Sequence, residues 1–442
     1  MRAARGFLVL GAALAIGLAA RPSSAALRPG VVLSEANWRE ARGLLPEEIL
    51  RHYERGEYRT PVVELDEETL GRVRLPPDFQ SASRTNRGRY RLTDAGTIVD
   101  AKTGKTPPFL MGLPFPDIEP NDPQAALKII WNHFLTVWYR SDTRLTTELW
   151  MIASDGGIDR KIRTDVTMRM YDGSADARGR ENPEGVFYQT LARVVWPADL
   201  NGIVSLSWRY RRGDMPDASW TYVPGLRRVR QVDPLNRSDG FLGSDLSLDD
   251  GAFFDAKPED FEFRLLGREE QLVLFDPYAL RGEVDLRPAP KGGWRVVWRD
   301  APRIGLDDPE WKGSPWAPRS AVLARRPLWI VEARPRDPNY LYGRLILRID
   351  AETYHGCWVS KYDRAGELVH SYQIGRGIYV TGDGGKTWVG GGGVVTQLAE
   401  QLRLHRATAV LFPRGDPHNP SDFHVPTDPG EFEPDVLVRY GR

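Results

Sequence analysis

From Thr147 to Phe412 the chain is a succession of strand-length segments, most of them separated by hairpin-length gaps. In Lys161–Tyr171, Ile162, Thr164, Val166, Met168 and Met170 oppose Arg163, Asp165, Thr167 and Arg169. In Ile203–Arg211, Leu206, Trp208 and Tyr210 oppose Ser205, Ser207, Arg209 and Arg211. Side chains alternate along a strand, so these segments have one dry and one wet face, as in antiparallel sheets. Turn residues stand between them at Asp155-Gly156-Gly157, Asp172-Gly173 and Pro197 to Gly202. Further strands are expected at Phe187–Trp196, Phe261–Leu266, Leu272–Phe275, Trp294–Arg299, Leu328–Ala333, Tyr342–Ile349, Gly356–Tyr362 and Thr408–Phe412. So many strands, without helix-strand alternation or an internal repeat, predict one large sheet that curls. The expected class is mainly β (α+β), a curved antiparallel half-barrel with a covering helix.

That helix is predicted from Asp122 to about Tyr139. Asp122 is a good N-cap, Pro123 a good first residue, and Leu127, Ile130, Trp131, Phe134, Leu135 and Trp138 form an apolar stripe. Two shorter helices are expected at Ser34–Arg42 and Pro46–Arg55. Residues 1–26 read as an export signal: Arg2 and Arg5, an apolar run from Gly6 to Ala20, then small residues with cleavage near Ala25 or Ala26. No Cys follows the apolar run for lipid attachment. A soluble, periplasmic mature protein is therefore expected, with residues 27–121 as an N-terminal extension continuous with a half-barrel domain over 122–442. Cys357, the single cysteine, lies in a strand-like run and reads as buried and inert.

The stretch from Trp220 to Phe254 holds two strand signals joined by Pro224-Gly225, with Trp220 and Tyr222 on one face and Thr221 and Val223 on the other. A glycine-punctuated segment follows, with the apolar pair Phe241-Leu242 between Gly240 and Gly243, and ends in Asp249-Asp250. It reads as an ordered loop or lid. The run from Trp220 to Arg230 followed by Gly240 to Ser247 resembles the centre of outer-membrane lipoprotein-sorting proteins of the LolA/LolB-like superfamily. The opening (Pro29-Gly30, Ala36-Asn37, Gly43 to Pro46, Gly56 to Tyr58) and the close (Leu404 to Thr408, Gly441-Arg442) resemble a large uncharacterised family of that superfamily. The resemblance implies carriage of acyl chains through the periplasm, with a resistance-nodulation-division-type exporter or an outer-membrane protein as partner.

The residues themselves carry the rest of the functional reading. A formal net charge of +0 gives no electrostatic reason to expect nucleic acid as a partner. With 14 Trp, the chain needs large apolar surfaces or a ligand to cover them. A curled sheet closed by a helix suits a hydrophobic or lipidic ligand. The expected ligand-binding residues are Trp131, Phe134, Trp208, Tyr210, Trp220, Tyr222, Trp294 and Trp298 along the sheet and helix, with Phe241 and Leu242 as a gate. Trp358 is a further candidate liner. Arg228 and Arg230 are expected to meet an anionic headgroup, within a basic concentration that includes Arg209, Arg211, Arg212 and Arg227. The alternative is a solvated face balanced by Asp245, Asp249 and Asp250.

No G-x-S-x-G, H-E-x-x-H or Walker loop is present, and no motif points to a cofactor or metal. The chain is read as a non-enzyme. The alternatives are a docking component of an envelope complex and a hydrolase using His405, His418 or His424. Thr381 to Trp388 resembles an Asp-box turn and supports a hairpin there.

Overall fold

The computed structural model describes residues 27–137, 141–232, 237–297, 301–375, 378–392, 397–413 and 421–441. Thirteen antiparallel strands form the spine of an 18-stranded sheet, in which Thr60–Val63 adds a parallel pairing to Val322–Pro335. The first six are β1 (Thr143–Ile152), β2 (Ile158–Met170), β3 (Val186–Trp196), β4 (Val204–Tyr210), β5 (Ala218–Val223) and β6 (Arg228–Val232). The other seven are β7 (Phe261–Phe275), β8 (Val322–Pro335), β9 (Arg344–Asp350), β10 (Gly356–Tyr362), β11 (Leu368–Ile374), β12 (Gln397–Gln401) and β13 (Arg406–Leu411). Each of β1 to β5 pairs with the next, β7 pairs with β8, and a second meander runs from β8 to β13. Pairing of β13 with β1 joins the meanders at the centre. The sheet is open: β6 and β7, consecutive in the chain, lie at its two ends. The segment between them, residues 237–260 where described, therefore crosses the sheet.

The helices are α1 (Glu47–Glu54), α2 (Glu67–Val73), α3 (Pro77–Thr85) and α4 (Ala125–Val137), with short turns near Pro277 and at the C-terminus. α4 is the predicted covering helix. Asp122 stands ahead of it, its Oδ1 accepting from the Gln124 N–H at 2.8 Å. Ile129, Ile130, Trp131, Phe134 and Leu135 enter a core with Met168, Met170, Phe187, Phe254 and Val331 on the sheet's inner face. Of the two short helices expected near the start, only the second forms as α1. Trp38–Ala41 makes just one 3-10 turn, because Gly43 takes a left-handed φ of 76° two residues on. Phe261–Leu266 and Leu272–Phe275 are one strand, β7, kinked by a bulge between Leu265 and Gly267. The Asp-box segment forms the expected hairpin of Ile378–Thr381 with Trp388–Gly392. Asp383 Oδ1 accepts from the Lys386 and Thr387 N–H groups.

The outer face is covered at both wings. α1 lies on β9–β12, where Ile49, Leu50 and Tyr53 pack with Ile346, Trp358 and Leu398. On the other wing Phe432 and Leu437 cover Leu191, Val204, Leu206 and Tyr222. Among the described residues no helix is long and apolar enough to cross a membrane. The expected signal, residues 1–26, lies outside them.

Candidate functional site: the inner face and its lid

The lid, residues 237–256, is held to both wings by buried charge. On the β1–β6 wing, Arg209 Nε bonds Asp217 Oδ2 at 2.7 Å, and its Nη2 donates to the Asp255 carbonyl at 2.6 Å. Arg237 of the lid bonds Asp249 within it at 2.6 Å and lies 3.8 Å from Asp217, and Tyr188 OH donates to Asp255 at 2.5 Å. On the other wing Lys361 pairs with Asp250, and Arg406 Nε with Asp245 at 2.8 Å. Burial raises the Asp245 and Asp255 carboxyls above the usual range, against the pull of the arginines beside them. Breaking such a pair on one side costs more than forming it gains, because a buried charge is left alone. Close packing adds to this: a Cβ at Gly356 would fall 1.8 Å from the Phe253 ring.

Phe241 and Leu242 lie half-buried on an inner-face patch of Leu149, Ile162 and Val194. Gly240 lets the chain fold back here, since a Cβ on it would meet the Ser244 carbonyl oxygen at 2.0 Å. Gly243 supplies a φ of 83°, and Leu242 itself takes 52°, a conformation costly for a side chain with a Cβ.

The sequence-expected site residues divide between two faces. Trp131 and Phe134 are on the buried side of α4, their rings 6.0 Å apart, and Trp131 Nε1 donates to the Gly96 carbonyl. Trp208, Tyr210, Trp220 and Tyr222 lie on the opposite, outer face. Trp208 stacks edge-on to Trp220 at 5.3 Å and donates to the Phe432 carbonyl at 2.9 Å. Trp294 belongs to a separate cluster with Val296 and Phe423. Trp298 lies outside the described residues. Trp358 is buried on the outer side, donating to the Leu272 carbonyl. Thus the structure does not gather these aromatics into one cavity; the dry face of β4 and β5 turns outward.

Arg228 and Arg230 are exposed on β6 and make no ion pair among the described residues. They share the inner face with Val223 and Thr221, their partners in register. The basic concentration does not hold together as one feature. Arg209 and Arg211 are buried, Arg211 on Asp172, while Arg212 is exposed and paired with Asp214. Asp245, Asp249 and Asp250 balance Arg406, Arg237 and Lys361 instead. In the β5–β6 turn Arg227, and not Gly225, takes the left-handed backbone, with φ 49°.

His405 is exposed in the β12–β13 turn, and His418 is outside the described residues. Both ring nitrogens of His424 are engaged, Nδ1 by Asp176 at 2.6 Å and Nε2 by the Trp388 carbonyl at 3.0 Å. Cys357 is buried. Among the described residues no group of three His, Cys, Asp or Glu side chains could hold a metal ion.

The family model described as "Protein of unknown function (DUF1329)" matches residues 32–385. The chain belongs to the DUF1329 family. An uncharacterized protein of Pseudomonas aeruginosa is 22% identical to this DUF1329 chain over 301 residues, 66% of the chain and 58% of that protein, so less than two thirds of the relative's length is spanned. Among solved structures, a Vibrio parahaemolyticus domain named for outer membrane lipoprotein sorting is 18% identical, with a TM-score of 0.46 over 72% of this chain and 100% of its own. A DUF1329 protein of Desulfovibrio piger is 16% identical, with a TM-score of 0.43 over 70% and 98%. A LolA-superfamily protein of Nitrosomonas europaea is 11% identical, with a TM-score of 0.39 over 69% and 96%.

Sequence reasoning missed Lys361, which pins the lid to β10, and Arg237, which braces the lid from within. Their signal was present as lone cations amid apolar strand and acidic loop, but their partners are 111 and 12 residues away.

Proposed function

We propose that this DUF1329 chain is a periplasmic binding protein for a hydrophobic or lipidic ligand, with the inner face as its site. The observation that supports this is the gate. Phe241 and Leu242, on a loop crossing the open sheet, rest half-buried on Leu149, Ile162 and Val194. An acyl chain that took their place would bury the same apolar surface, at about 0.8 kcal/mol per CH₂. The lid's anchors are polar and the gate's contacts are apolar, so the gate can exchange for a chain while the anchors hold. Extraction and mass spectrometry of lipids from protein purified out of its native envelope tests the proposal. A co-purifying acyl lipid in near-stoichiometric amount is expected, and protein that is lipid-free and takes up no acyl-chain probe would overturn it.

A second reading, a docking component of an envelope complex, draws on the aromatic filling beneath α4, where Trp131, Phe134, Phe187 and Phe254 occupy the interior. Co-purification from cross-linked envelopes, with a resistance-nodulation-division-type exporter as the first partner class to look for, tests it.

A further inference from the structure

The wet face of β3–β6 turns inward. In register, Thr190 stands opposite Ser207, which stands opposite Ser219; Ser205 stands opposite Thr221 on the same face. All five side chains are half-exposed, and their hydroxyls make no hydrogen bond among the described residues. On the outer side of the same strands the residues are apolar and covered by the C-terminal segment. The hydroxyl-lined face is therefore not a solvated back surface. It is the part of the inner face that the lid borders, where Tyr188 bonds Asp255 and Val194 meets Phe241 and Leu242.

Two independent observations mark this face as more than a polar surface. Thr164 of β2 lies at its deep end, opposite Val194, with 4% exposure, and its buried hydroxyl has no partner among the described residues. An unmet buried hydroxyl costs free energy that a ligand hydrogen bond would recover. At the far end Arg228 and Arg230 stand on the same face as Thr221, without carboxylate partners among the described residues. From Val194 on β3 to Arg230 on β6 is three strand spacings, roughly 14 Å. Along that line the surface changes from apolar to hydroxyl to cationic.

We infer that this face binds an anionic, phosphate-bearing acyl lipid in a fixed direction, its chain toward Leu149, Ile162 and Val194 and its phosphate at Arg228 and Arg230. The hydroxyl surface between them takes the ester and glycerol oxygens, and guanidinium matches phosphate geometry. This rests on the binding-protein reading above and adds the headgroup class and the orientation.

The test uses the full mature chain with two short-chain lipids of identical tails, dihexanoyl phosphatidylglycerol and dihexanoyl phosphatidylcholine, below their micelle concentrations. The anionic lipid is expected to bind about tenfold more tightly or better, the scale of a charge-assisted hydrogen bond. Arg228→Ala with Arg230→Ala should narrow that difference, weakening phosphatidylglycerol more than phosphatidylcholine, whose phosphate is offset by its own choline ammonium, and should leave the melting temperature unchanged. Thr221→Val with Ser205→Ala should weaken both lipids. If the parent and the double-arginine variant bind both lipids equally, the headgroup inference falls and the binding-protein reading stands. If neither lipid binds the parent, both fall. Inorganic phosphate binding as tightly as the anionic lipid would indicate a free-phosphate site and overturn the inference.

Discussion

Lys361 of β10 and Asp250 of the lid form an ion pair sealed within the inner face, with 2% and 5% of their side chains exposed. The Lys361 ammonium also lies 4.9 Å from the Tyr342 ring centre. The ammonium titrates above its ordinary range, since Asp250 and Tyr342 outweigh the opposing effect of burial. Lys361→Ala should cost about 3–5 kcal/mol, because Asp250 is left as an unpaired buried charge. Denaturant titration reads the cost, and deuterium uptake across residues 237–256 should rise. A lid that stays as protected as in the parent would show that its other anchors suffice. Lys361→Met with Asp250→Leu should recover much of the stability, because no buried charge is then stranded.

The gate pair gives a second prediction. Phe241→Ser with Leu242→Ser should tighten binding of an acyl-chain probe, because the patch of Leu149, Ile162 and Val194 no longer has to be vacated, and leave the melting temperature within a few degrees. The two side chains are half-buried, so their loss costs the fold less than the ~1.5–3 kcal/mol expected for a fully covered one. Parent-like affinity for the probe would make the loop a structural strap only.

Trp208 tests the assignment of faces. It is held on the outer side by Trp220 and the Phe432 carbonyl, so Trp208→Ala should lower stability by about 3 kcal/mol. Probe affinity, measured where the variant is folded, should not change. A selective loss of affinity would place the ligand on the C-terminal side of the sheet.

How much of this was legible beforehand depends on the residues concerned. The alternation in Ile203–Arg211 correctly separates Leu206 and Trp208 from Ser205 and Ser207. It cannot say which set points into the curl, since either face of a strand can be the covered one. The covering element decides this, and here it is Phe432 and Leu437 from the far end of the chain. The α4 stripe was legible because helical periodicity is local. The lid was legible as a loop but not as a bridge, because its anchors Lys361 and Arg406 are specified by tertiary pairing alone.

A fourth prediction concerns pH. His52 of α1 sits between Glu57, 2.7 Å from Nδ1, and Glu400 of β12, 2.8 Å from Nε2. Burial would lower its pKa, but bonds to Glu400 and Glu57 outweigh this and raise it from 6.5 to about 9. Because the folded value exceeds the unfolded one, the contribution is full below about pH 6.5 and is lost as pH rises through about 9. Its size is on the order of 3 kcal/mol, from 1.36 kcal/mol per unit. Denaturation midpoints between pH 6 and pH 10 should fall with pH in the parent. His52→Gln should flatten that slope, and an equal slope in the variant would assign it to other groups.

The lid joins two strands that never touch, while β1 and β13, from opposite ends of the fold, are zipped together over five register pairs. A protease that cuts once among residues 237–248 would therefore sever the backbone without parting the molecule. The two fragments would stay joined through the central ladder and migrate as one particle until denatured. Nicked protein of this kind would have an unhinged gate on an intact scaffold, so opening could be studied separately from unfolding.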